Sequence, residues 1–150
     1  MKYPKLGNNQ INLLSKLSDV FVRVKPFGDI CGLFAIRDID KGAVVFELTE
    51  EQAKETLVPT ELVYAACPCD EIKSMVHDFY EHRKNYVVMD SGGLNTITLM
   101  YFINHSMKSN ILFKGRKIVA KRLIKKGEQI FANYFNRSYV HFDFLKGDRP

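Results

Sequence analysis

Tyr101-Phe102-Ile103-Asn104-His105-Ser106-Met107-Lys108-Ser109-Asn110 is the stretch on which the fold turns. An apolar lead-in ends in a cluster of hydrogen-bonding side chains, Asn104, His105 and Ser106, with Asn110 shortly after. Apolar runs end this way where polar groups must be held, with partners, at the edge of a core. A second segment, Gly127-Glu128-Gln129-Ile130-Phe131-Ala132-Asn133-Tyr134, closes on a tyrosine. Upstream, Gly32-Leu33-Phe34-Ala35 leads into a polar turn, Asp40-Lys41-Gly42.

In this order the three segments resemble the signature of the SET-domain lysine methyltransferases. That family reads Gly-x-Gly-Leu-Phe-Ala, then Arg-Phe-Ile-Asn-His-Ser-Cys-x-Pro-Asn, then Gly-Glu-Glu-Leu-x-Phe-Asp-Tyr. The resemblance runs from Phe21 to Tyr134. It implies a mostly β fold with short helices, in which several small antiparallel sheets surround a threaded, pseudoknot-like C-terminal segment. It also implies S-adenosyl-L-methionine as cofactor and a protein substrate with a target lysine, histone tails being the family's most frequent target.

Site residues follow from the same resemblance. Tyr134 stands at the catalytic tyrosine. Asn104 and His105 stand where the family contacts the cofactor's amino group and adenine edge. Gly32, Leu33 and Phe34 stand in the loop that packs on the cofactor's amino-acid end. Tyr101 occupies the position of an arginine that often holds the cofactor carboxylate. Tyr86, Ala132, Phe135 and Tyr139 are expected along the channel for the substrate lysine. Ala132 replaces a bulky aromatic, which leaves room for di- or trimethylation unless Phe135 or Tyr139 refills it. Ile30 stands in place of the first glycine of the opening motif, Met107 in place of Cys, and Ser109 in place of Pro. The changes at Ile30 and Tyr101 leave a second reading open, a SET-like binding module with weak or lost catalysis.

Methyl transfer from a sulfonium asks little covalent chemistry of a protein. It needs a neutral amine held in line with the bond that breaks. A free lysine, with a pKa near ~10.4, must lose about 3.4 units to be neutral at pH 7, which costs about 4–5 kcal/mol. An apolar channel favours the neutral form by desolvation. No metal is expected. Cys67-Pro68-Cys69 is one residue short of the usual Cys-x-x-Cys zinc clip and has no second pair. His77 and His82, five apart, share no helix face; with His141 they show neither triad nor metal spacing and are expected at the surface.

A chain of 150 residues suits one domain, 1–150, with a core over 20–135, a helical insert over 49–85 and an aromatic tail over 135–150. No apolar run approaches the ~20 residues that span a bilayer. Met1 to Lys5 lacks the apolar stretch of a signal peptide, and three cysteines suit a reducing compartment. An intracellular protein, cytoplasmic or nuclear, is expected, with no membrane partner. Net charge is +5. The excess sits in Lys114–Lys126, where seven of 13 residues are Lys or Arg and none is acidic. This reads as the solvated face of a hairpin or as a surface for nucleic acid or another acidic partner. Some compact family members dimerise, so a homodimer is also open.

Strands are expected at Val20–Val24, Leu33–Ala35, Ala43–Leu48 and Asn85–Asp90, where β-branched and aromatic residues concentrate. Ala35–Phe46 and Ala120–Phe131 align with six of 12 positions identical, each a strand, a Lys-Gly turn and a strand. Between them, Thr49-Glu50-Glu51-Gln52 reads as a capping box. Asp70 can cap a helix whose apolar face is Ile72, Met75, Val76 and Phe79. Asn95 to Ile103 reads as a short helix delivering the Asn-His-Ser cluster.

Overall fold

The computed structural model describes residues 7–136. After a short N-terminal helix, α1 (Asn8–Ser15), the chain forms a hairpin of β1 (Val22–Phe27) and β2 (Ile30–Ala35). Gly28 turns this hairpin at φ 59°, a left-handed conformation that a side chain disfavours. β3 (Val44–Glu47) pairs with β9 (Lys117–Ala120), which pairs with β8 (Ile111–Lys114), giving a three-stranded antiparallel sheet.

The internal echo has a structural counterpart. Its two copies cross as an antiparallel bridge at Ile39 and Ile124, each N–H donating to the other's carbonyl at 2.8 and 2.9 Å. Gly42 N–H donates to Ala120, and Gly127 N–H, at the matching position of the other copy, donates to Ala35. Both glycines are left-handed, at φ 86° and 88°. The two units therefore pack about a local two-fold axis. Leu33, Ile39, Val45, Ile118, Ile124 and Ile130, each at most 1% exposed, fill the space between them.

The middle of the chain builds a second layer. β4 (Glu55–Pro59) and β5 (Glu81–Arg83) flank β6 (Tyr86–Asp90), with α2 (Thr60–Ala66) and α3 (Asp70–Phe79) between β4 and β5. Val63, Val76, Tyr80 and Val87 form its core. The expected helical insert is thus two helices carried on a sheet. The Thr49–Gln52 capping pair does form, with reciprocal bonds of 2.9 and 3.2 Å, but closes a single turn. The β-favouring Thr56-Leu57-Val58 follows too closely and pairs with β6 instead. Asp70 begins α3 as its first helical residue; the cap position is Cys69, with no side-chain cap. Asn95–Ile103 forms two 3-10 turns, Leu94–Thr96 and Leu99–Phe102, not one α-helix.

β7 (Asn104–His105) and β10 (Phe131–Ala132) complete the fold as a parallel pair, Phe131 opposite Asn104 and Ala132 opposite His105. Parallel neighbours need a crossover; here it includes β8, β9 and the second Lys-Gly turn. The C-terminal segment is threaded beside the Asn-His-Ser stretch as a result. No helix among the described residues is long and apolar enough to cross a membrane.

Candidate active site

Asn110 holds the crossing together. Its side chain is 1% exposed, donates from Nδ2 to the Gln129 carbonyl at 2.8 Å and accepts from Phe131 N–H at 2.8 Å. Its backbone N–H donates to the Phe131 carbonyl at 3.1 Å. One amide side chain thus satisfies two backbone groups, at Gln129 and at Phe131 where β10 begins, that would otherwise be left without this partner. Ser106 N–H adds a bond to the Ala132 carbonyl at 2.9 Å.

This crossing brings Tyr134 to His105. The Tyr134 N–H donates to His105 Nδ1 at 3.2 Å, which assigns the proton of the neutral imidazole to Nε2. The two rings lie 5.1 Å apart, and Phe135 meets His105 edge-on at 5.2 Å. The Tyr134 hydroxyl donates to the Ile103 carbonyl. With its proton committed there, the phenol oxygen keeps lone pairs for accepting. Asn104 Nδ2 donates to the Cys31 carbonyl at 3.1 Å, tying β7 to the Cys31-Gly32 stretch of β2.

Gly32 itself is tightly enclosed. A Cβ there would lie 2.4 Å from Gln129 Nε2 and 3.0 Å from Phe34. Gln129 is buried, and its Nε2 has no hydrogen-bond partner among the described residues. Leu33 is a core residue, fully buried. Phe34 is half-buried against Phe27, with Lys25 Nζ 5.7 Å from its ring centre.

Tyr134, Ala132, Ile103 and Ile30 line one end of a cavity of about 1170 Å³ that extends under the α2–α3 layer. Tyr101 lines it too, packed edge-on to Phe79 and Tyr80, its hydroxyl donating to Asp90. Burial and the adjacent carboxylate hold this phenol protonated at any ordinary pH. Of the sequence-derived candidates, the fold gathers Asn104, His105, Ala132, Tyr134 and Phe135, with Gly32 joined through Asn104 and Cys31. Tyr86 stands apart: it opens β6 opposite Pro59, is 45% exposed and does not line the cavity. Tyr139 lies outside the described residues.

His82 is not a surface residue. It is half-buried, accepts from the Tyr64 hydroxyl at Nε2 (3.1 Å) and donates from Nδ1 to the Tyr80 carbonyl (3.0 Å). Desolvation lowers its pKa below the ordinary 6.5, with a smaller push from His77. The five-residue spacing alone predicts two surface histidines that share no helix face. α3 instead stops at Phe79, so His82 lies on β5 with its ring 5.9 Å from that of His77. None of Asp90, Tyr80, Gln129 and His82 is a site candidate by sequence. Only Asp90 carried a signal, an acidic end to an apolar strand. The basic stretch 114–126 is partly neutralised, Arg116 by Glu47, Arg122 by Glu128 and Lys125 by Asp38. Cys67 and Cys69 are free thiols, and no cluster of three metal-ligating side chains occurs among the described residues.

The family model of the SET domain matches residues 31–135, from Cys31 in β2 through Phe135. This chain belongs to the SET-domain family. Its SET fold is similar to a solved structure of apo ctPRC2 with two mutations in Ezh2, at 25% identity and a TM-score of 0.51, over 85% of this chain and 16% of that one. A Plasmodium falciparum protein provisionally named a histone methyltransferase is 16% identical over 80% of this chain and 96% of its own, with a TM-score of 0.45. No curated protein matches the sequence. Membership in this SET family makes the chain methyltransferase in kind.

Proposed function

We propose that this SET domain is an S-adenosyl-L-methionine-dependent protein-lysine N-methyltransferase. One observation carries the reading: a tyrosine whose hydroxyl proton is committed to a backbone carbonyl, next to the Asn-His pair, at the end of a largely apolar cavity. When bound, S-adenosyl-L-methionine supplies an electrophilic methyl group. The residues fit such a group: Gln129 offers an orphaned amide beside Gly32, whose missing Cβ leaves room for that amide. Asn104, His105 and the Cys31–Gly32 backbone would hold it.

The protein's own part is to accept and align the lysine amine. Ile103, Ala132 and Met100 offer little solvation to an ammonium, so the amine enters more readily neutral. The Tyr134 oxygen, with its proton donated to Ile103, accepts an N–H from that amine and fixes its lone pair. Ala132 leaves space beside the phenol, which favours more than one methyl addition. A histone tail is the substrate to try first. Methyl transfer from labelled cofactor to a panel of lysine-rich proteins tests the proposal. Tyr134→Phe should lower kcat by about 10²-fold, the range of a positioned proton-handling group. Cofactor binding without transfer to any protein would refute it.

Tyr101 supports the second reading, a binding module with weak catalysis. Its hydroxyl is spent on Asp90 and supplies no cation where the family pattern has arginine. Calorimetry separates the two: an enzyme binds S-adenosyl-L-methionine at micromolar levels, and a vestigial module does not.

A further inference from the structure

At the β4–β6 end of the same cavity, Glu55 and Asp90 stand directly opposite each other across the ladder. Like charges at opposed positions destabilise a sheet. Glu55 is exposed and makes no ion pair among the described residues. Asp90 is held in place: Oδ1 accepts from Gly92 and Gly93 N–H at 3.0 and 2.9 Å, and Oδ2 from Tyr101. Next to them is Tyr80, 5% exposed, a residue of the cavity wall whose buried hydroxyl has no partner among the described residues. A buried hydroxyl left unpaired is costly and calls for an absent partner. Burial, and then Asp90, hold the Tyr80 phenol in its neutral form. The wider lining has the same sign. Glu55, Asp78, Glu81 and Asp90 line it with Lys73 as the one ammonium, in a chain of net charge +5; Glu81 is paired with Arg83 and Asp78 with His77, which leaves Glu55 and Asp90 as the carboxylates without an ion pair among the described residues.

We propose that Glu55, Asp90 and Tyr80 form a subsite for the guanidinium of an arginine near the target lysine of the protein substrate. Guanidinium matches the set better than ammonium does. It offers five N–H donors in a fixed plane, enough for two carboxylates and a phenol oxygen. The rings of Tyr80 and Tyr101, 6.2 Å apart, give the side of the site an apolar wall. The two carboxylates at this end of the largely apolar cavity also draw a cationic segment toward it. The identity of the partner rests on the lysine methyltransferase reading; the cation preference does not.

The test therefore measures binding. Fluorescein-labelled Gly-Ser peptides carry one lysine, with arginine or its neutral isostere citrulline scanned over the flanking positions. At one position arginine should bind about tenfold tighter than citrulline, a fair value for a partly desolvated charge pair. In Glu55→Gln that preference should fall to within about twofold. Tyr80→Phe should weaken it while leaving thermal stability unchanged or higher, since the hydroxyl it removes is unpaired. Equal binding of the arginine and citrulline peptides at every position overturns the proposal, as does an undiminished preference in Glu55→Gln. Displacement of the arginine peptide by saturating S-adenosyl-L-methionine assigns the acidic pair to the cofactor's own ammonium and also overturns it. A preference that persists where no methyl transfer is found upholds this subsite and counts only against the catalytic reading.

Discussion

Replacing Asn110 with alanine tests the threaded crossing most directly. The side chain is 1% exposed and serves two backbone groups, the Gln129 carbonyl and the Phe131 N–H, each at 2.8 Å. Truncation leaves both without their partner in a buried setting. Each orphan costs about 1–3 kcal/mol. Water entering the vacated volume relieves one of them, so we expect a loss of about 3 kcal/mol. That is a large share of the about 5–15 kcal/mol that holds a domain folded. For a chain of this size it lowers Tm by about 6–12 °C. Urea denaturation at neutral pH should show a reduced midpoint with an unchanged slope. Asn104→Ala is the control. It removes one bond, to the Cys31 carbonyl, in a half-exposed position, and should cost no more than about 1 kcal/mol. If Asn110→Ala melts within about 2 °C of the parent, packing alone holds β10 beside β7 and the hydrogen-bond argument fails.

Gly32→Ala should destabilise by about 1–3 kcal/mol through overpacking against Gln129, and Gln129→Ala in the same chain should recover much of that loss. Additive effects in a denaturation cycle would show that the two do not clash. Stability should fall as pH drops below the ordinary His82 value of 6.5, because burial makes the folded state bind its proton less readily than the unfolded state. The fall should level off below the depressed folded-state pKa, and His82→Gln should flatten it; an unchanged Tm-versus-pH curve in that variant excludes His82 as its source. Asp38 and Glu128 are held below their ordinary range first by Lys125 and Arg122 respectively, then by backbone N–H groups. Their contribution is present above the ordinary carboxylate range and disappears at still lower pH, so Asp38→Asn should reduce the acid sensitivity below about pH 4. An identical acid limb in that variant would refute the assignment.

Local chemistry made much of this protein legible as sequence. The Lys-Gly turns at 42 and 127 need left-handed glycine, and both have it. The strands around Val22, Leu33, Val45 and Val87 follow from β-branched runs bounded by turns, and α3 from its apolar spacing. The ordered motifs at Gly32, Asn104 and Tyr134 were enough to anticipate the SET fold. Tertiary structure decided the rest. That Tyr101 bonds Asp90, that His82 is half-buried beneath Tyr64, that Glu55 confronts Asp90 and that Asn110 braces β10 are contacts between residues far apart in the chain. Sequence periodicity registers only neighbours within a turn or a pleat. Which strand lies beside which depends on how two cores fill and on which buried backbone groups find partners, and those conditions are met only when the whole chain has closed.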